Sequence, residues 1–162
     1  MDKIIDKISA YNLFNYLLPG VLFVVLANNF LFIDLTQGDI VLDVFIYYFI
    51  GLVVSRFGSL VIETLLRKVK FLKFAKHENF VSASKNDPKI EIFSRENNMY
   101  RTFIAMLVLL LLSKLYFYIQ IAYPFLQDWD FYILVSLLLV MFLYSYRKQT
   151  AYTLKRINPT KI

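Results

Sequence analysis

The chain has 162 residues, 59% of them hydrophobic and 18% aromatic, with only four glycines and four prolines, a composition too apolar for a water-soluble domain of this length. It contains no cysteine, which excludes disulfides, thiolate nucleophiles and cysteine-rich zinc sites, and a single histidine, His77, builds no metal site by itself. The net charge of +6 would suit nucleic acid in a soluble protein, but its placement points to a lipid bilayer instead, and no direct nucleic-acid binding is expected.

In chain order, residues 1–12 set Ile4, Ile5 and Ile8 on one helical face and Asp2, Lys3, Asp6 and Lys7 around the other, which predicts a short interfacial helix. Four stretches approach the ~20 apolar residues that a ~30 Å hydrocarbon core requires of a helix, namely 13–33, 40–66, 102–122 and 129–146. The first carries Pro19 and Gly20 mid-span and no small-residue cleavage site, so it reads as a retained span rather than a signal peptide. The second would reach ~40 Å at ~1.5 Å per residue, too long for one upright crossing. Its apolar stripe continues through Val61, Ile62, Leu65, Leu66, Val69 and Leu72 with Arg67, Lys68, Lys70 and Lys73 on the other side, which predicts a stalk running on along the headgroups. In the 67–101 segment Asp87 and Pro88 supply an N-cap and an N1 proline, and Ser94 a second cap for a helix running through Arg101. Short helices, not a separate domain, are expected there, and no repeat or phosphate-binding GxxxxGK[ST] loop occurs.

Orientation follows from lysine and arginine. Residues 1–12 hold two, 67–101 nine and 147–162 five, against none in 34–39 or 123–128. The positive-inside rule therefore places both termini and the central loop in the cytoplasm, and the turns bearing Asp34, Asp39 and Asp128 outside. Tyr11 and Tyr16, then Tyr123, Trp129 and Tyr132, then Tyr144 and Tyr146 fit interfacial belts. The expected fold is all-α, an integral membrane four-helix bundle with a short helical cytoplasmic loop, forming one domain over 1–162.

Polar residues within the apolar stretches are the candidate functional groups. Gly51, Ser55 and Ser59 recur every four residues, with Gly58 near the same stripe, and such a small-residue face lets two helices approach closely, either within one chain or between subunits of a homo-oligomer. Arg56 and Glu63 lie seven residues apart on nearly the same face. Arg56 either snorkels to the inner headgroups, or it and Glu63 enter an interhelical or intersubunit ion pair near an inner gate. Lys114 sits ~20 Å above Arg101 and ~14 Å below Tyr123 along the third span, close to mid-membrane. A lysine there costs ~2.5 to 3.5 kcal/mol, to be offset by Asp43 as an acidic partner or by a wet pore that a ring of lysines would make anion-selective. Asn28 and Asn29 are further candidates for lining or joining helices. In the basic loop, Lys70, Lys73, Lys76, Lys85, Lys89, Arg95 and Arg101, with Tyr100 to stack, are candidates to hold anionic lipid, an anionic signal molecule or an acidic partner protein.

The segments ISAYNLFNYLLPG at 8–20, SRFGSLVIE at 55–63, ASKNDPKIEIFS at 83–94 and NNMYRT at 97–102 resemble those of small uncharacterised bacterial membrane proteins. These are similar in size and layout to four-helix membrane components of antiphage defence systems. The resemblance implies the bacterial inner membrane, and a defence role in which a partner senses infection and this subunit acts at the membrane. Subunit and partner contacts would fall in the polar runs at 55–63 and 97–101.

Two functional classes follow as expectations. One is an oligomeric inner-membrane effector or channel gated through the loop, resting on Lys114, Arg56 and the Gly51 stripe. The other is a non-conducting scaffold that recruits a cytosolic partner through the basic loop. An enzyme is not expected, since no paired aspartates, His-Asp box or equivalent faces one cavity, and no cofactor or metal is expected either.

Overall fold

The computed structural model describes residues 12–31, 33–75 and 77–157, and the helix expected over 1–12 lies outside them but for Asn12. The described residues form α1 (Leu13–Leu31), α2 (Ile40–Lys68), α3 (His77–Asn86), α4 (Lys89–Ala122) and α5 (Asp130–Ile157), with a 3-10 turn at Pro124–Trp129 leading into α5. There is no strand among them, and four helices are long and apolar enough to cross a membrane, in the order the apolar stretches predict.

Side-chain carboxylates start two of the helices. Asp39, extended at φ −113°, accepts the backbone N–H groups of Val41 at 2.8 Å and Leu42 at 3.2 Å, satisfying two donors of the first turn of α2. In the preceding connection the Thr36 hydroxyl (2.6 Å) and N–H (2.9 Å) hold the Asp34 carboxyl below the usual carboxylate range. Asp87 accepts the Lys89 N–H at 2.9 Å and so caps α4, as the Asp-Pro pair predicts. Ser94 starts nothing, because α4 runs unbroken through it from Lys89 to Ala122.

The helical stripe expected to run on to Leu72 stops short of it. Helix α2 ends at Lys68, where Lys70 takes φ 58° and the Phe71 and Lys70 N–H groups bond back to the carbonyls of Leu66 (3.0 Å) and Arg67 (3.1 Å), a Schellman closure. Periodicity carries the stripe to Leu72, but the carbonyls of Leu65, Leu66 and Arg67 are taken up by the closing N–H groups of Val69, Phe71 and Lys70. Closure sets a lysine in the left-handed region that glycine prefers, at a cost of ~1 to 2 kcal/mol. Lys70→Gly is therefore expected to stabilise the chain by about 1 kcal/mol, read as a rise in the midpoint of thermal unfolding in detergent.

Helices α1 and α2 pack backbone to backbone. A Cβ on Gly20 would lie 1.8 Å from the Tyr47 carbonyl oxygen, and one on Gly51 would lie 1.7 Å from that of Tyr16. Beside this crossing Val54 and Ile62 of α2 meet Ala105 and Met106 of α4 in the core, with Leu22, Phe23 and Leu26 of α1 against it. Helix α5 leans on α2, where Phe49 and Phe142 rings lie 6.4 Å apart. The core is built of small and medium side chains, whereas large apolar ones such as Phe45, Leu111, Phe131, Leu137 and Leu143 point outward.

Candidate functional site

Two polar clusters occupy the end of the bundle where α1 begins and α2 ends, the basic end. In the first, Asn15, Ser55 and Thr102 are 2%, 5% and 0% exposed. Asn15 lies in a π-helical turn, Leu13–Leu17, that opens α1 and sets its amide inward. Its Nδ2 donates to Ser55 Oγ at 3.5 Å, while the Thr102 hydroxyl donates to the Asn98 carbonyl at 2.8 Å and lies 3.2 Å from Asn15 Oδ1 and 3.4 Å from Ser55 Oγ. One polar side chain from each of α1, α2 and α4 meets there, and since an unpartnered amide or hydroxyl is costly in an apolar interior, the cluster fixes the register of the three helices.

About 12 Å further along α2, at ~1.5 Å per residue, lies the second cluster. Arg101 Nη1 donates to Glu63 Oε2 at 2.7 Å, and Lys148 Nζ of α5 stands 3.9 Å from Glu63 Oε1 while donating to the Ser59 carbonyl (2.7 Å) and hydroxyl (2.8 Å). The side chains of Glu63, Arg101 and Lys148 are only 13%, 21% and 27% exposed. Gly58 makes the approach possible, because a Cβ there would meet Ala105 Cβ at 3.1 Å and the Arg101 carbonyl at 3.2 Å. Glu63 thus pairs across helices, but not with Arg56. Seven residues along one helix is a separation of ~10 Å, beyond the three- or four-residue spacing at which side chains meet.

The whole small-residue stripe faces inward in the single chain: Gly51 against the Tyr16 backbone, Ser55 in the buried triad, Gly58 against α4 and Ser59 beneath Lys148. Lys114 and Asp43, read as a pair from the sequence, are not brought together. Asp43 accepts the Gln37 N–H at 2.7 Å, and Lys114 Nζ donates to the Phe30 carbonyl at 3.0 Å with the Phe117 and Tyr118 rings each 5.6 Å away. Phe30 is in the last turn of α1, whose carbonyls have no helical partner and carry the negative end of the helix dipole, so the lysine caps α1. Counting from the Asn15–Ser55–Thr102 level, Lys114 lies ~18 Å along α4, Phe30 ~22 Å along α1 and Asp39 ~24 Å along α2. It sits near the end of the bundle and not at its middle. Beside it a groove of about 630 Å³ is lined by Leu26, Phe30, Leu31, Leu107, Leu110 and Leu111. Among the described residues Asn29 bonds only its own helix, donating to the Val25 carbonyl at 2.8 Å.

At that far end Asp130, opening α5, accepts the Tyr116 hydroxyl at 2.6 Å and Gln120 Nε2 at 2.7 and 2.8 Å, which ties α5 to α4. Sequence reasoning passed over Asp130, Asn15, Thr102 and Lys148. The usable signal for the first was Tyr116 and Gln120, four residues apart on one face and joined to Asp130 by a short turn.

The loop cations divide. Lys70, Lys73, Lys85, Lys89 and Arg95 are exposed, as is Tyr100, and among the described residues they form one ion pair, Arg95 with Glu91 at 3.9 Å. Arg101 does not belong with them, since it turns inward to Glu63. Lys76 lies outside the described residues.

Fold and polar contacts together define an all-helical bundle with four helices long and apolar enough to cross a membrane, cross-linked by polar side chains at both ends. Compared with known proteins, the chain matches no family model, no curated protein sequence and no solved structure.

Proposed function

We propose that the chain is a membrane-embedded four-helix scaffold of the bacterial inner membrane. In this reading α1, α2, α4 and α5 cross the bilayer, both termini and the 67–101 segment face the cytoplasm, and the exposed cations of that segment recruit an acidic cytosolic partner. Insertion is supported by the outward-pointing Phe45, Leu111, Phe131 and Leu137, an apolar surface that water does not tolerate over such an area. Recruitment rests on the division of the cations. Arg101, Lys148 and Lys114 are committed to acceptors within the bundle, whereas Lys73, Lys85 and Lys89 have no ion pair among the described residues. Helix α4 joins the two regions as one rod of ~50 Å, so a partner held at Lys89 and Arg95 is rigidly coupled to the buried Thr102 and Glu63 contacts.

The reading is tested by photo-crosslinking from position 85 in cells, with and without Lys89→Glu and Arg95→Glu. A discrete cytosolic adduct lost on charge reversal is expected, together with no conductance from the purified chain in planar bilayers. Conductance abolished by Lys114→Leu, with no adduct, would contradict it.

A second reading is favoured by α5, of whose most apolar window no residue is buried. If a second copy covers that face, the chain is an oligomeric membrane effector or channel of the kind its resemblance to defence components implies. The mass of the nanodisc-embedded chain separates the two, because a monomer leaves no shared axis for a pore.

A further inference from the structure

We propose that the face of α2 carrying Arg56, Ser59, Glu63 and Arg67, together with Lys148 of α5, forms a site for a phosphate-bearing anion, the headgroup of an anionic phospholipid at the basic end; this rests on the membrane reading above. Ser59, Glu63 and Arg67 follow one another at intervals of four through and beyond the π-helical turn Gly58–Ile62, and Arg56 lies three residues before Ser59. Lys148 fixes which face it is, since it touches both Ser59 and Glu63. The Lys148 ammonium also feels the charges of Arg56, Arg67 and Arg101. Arg101 and Lys148 already share the Glu63 carboxylate, and Arg56 and Arg67, a turn to either side of the 59–63 stretch that Lys148 touches, form no ion pair among the described residues. Donors outnumber acceptors as well, for Arg101 Nε is buried with no hydrogen-bond partner among the described residues. Such an excess of like charge is relieved by a bound anion, and a guanidinium fork beside an ammonium matches a phosphate. The cluster is open on one side, where Arg56 is half-buried and Arg67 exposed with its guanidinium 5.1 Å from the Phe74 ring. Half-buried Leu60, four residues after Arg56 and three before Glu63, and exposed Phe74 beneath the Arg67 guanidinium offer acyl chains an apolar surface that a soluble phosphate would not use.

The test is thermal unfolding of the full chain in phosphatidylcholine nanodiscs, with and without phosphatidylglycerol, and separately with inorganic phosphate. Wild type is expected to gain about 5 °C from phosphatidylglycerol. The Arg56→Gln, Arg67→Gln variant, which leaves the Glu63, Arg101 and Lys148 contacts intact, should lose at least half of that gain. Arg56→Lys, Arg67→Lys should keep most of it, and Lys85→Gln, Lys89→Gln all of it. An equal gain from inorganic phosphate would overturn the lipid assignment. No gain from either, or an undiminished gain in the paired glutamine variant, would overturn the site. Alkaline carbonate extraction keeps the premises apart, because a chain released from membranes overturns the membrane reading, whereas a retained chain indifferent to phosphatidylglycerol overturns only this inference.

Discussion

Gly51→Ala is expected to destabilise the chain by about 3 kcal/mol or more, and Gly51→Leu to prevent accumulation of folded protein. The added Cβ would stand 1.7 Å from the Tyr16 carbonyl oxygen and 2.6 Å from its carbon. Backbone atoms cannot swing aside as a long side chain can, so relief requires moving α1 away from α2. That movement would also pull Asn15 off Ser55 and Thr102, leaving buried polar groups unpartnered. Gly20→Ala, with its Cβ 1.8 Å from the Tyr47 oxygen, should behave the same way. Gly58→Ala meets its neighbours at 3.1 and 3.2 Å and should cost about 1 kcal/mol, with Gly38→Ala similar, because Gly38 has open space but a φ of 76°. Thermal unfolding in detergent ranks the four. A stripe that joined subunits would give a different pattern, in which Gly51→Ala leaves a well-folded monomer and abolishes only an oligomer.

Glu63→Gln should be the most damaging charge substitution, costing about 3 kcal/mol or more. The amide keeps the shape of the carboxylate but leaves Arg101 and Lys148 as half-buried cations with no counter-charge. Much of the effect is the penalty of stranded charge, so it should shrink when a cation is removed with it. In a double-mutant cycle, Glu63→Gln with Lys148→Met is expected to be less destabilised than the sum of the single changes. Strict additivity, measured by unfolding in the same detergent, would mean that Lys148 and Glu63 do not act as a unit.

The helices themselves were legible because a span of ~20 apolar residues has few alternatives, and Asp39 and Asp87 announce two of their starts. Closure of α2 at Lys68 was not legible, since it uses lysine where glycine is the usual signal. Pairing across helices was also hidden. Arg56 and Asp43 look like the natural partners of Glu63 and Lys114 when read along the chain, but the actual partners are set by how far each helix slides against the next. That register is held by Asn15, Ser55 and Thr102, which in sequence are an asparagine, a serine and a threonine scattered through apolar text. Lys114 shows the consequence, because its level relative to α1 brings it to the Phe30 carbonyl on the final turn of that helix instead of to Asp43.

Topology is the claim on which both functional readings stand, and the absence of cysteine makes it directly measurable. Single cysteines placed at Thr36 and at Lys85 are exposed to a membrane-impermeant maleimide in intact cells and again after permeabilisation. Labelling of position 36 in intact cells, and of position 85 only after permeabilisation, is the expected result. Labelling of position 85 in intact cells would contradict a four-span chain with its basic loop in the cytoplasm.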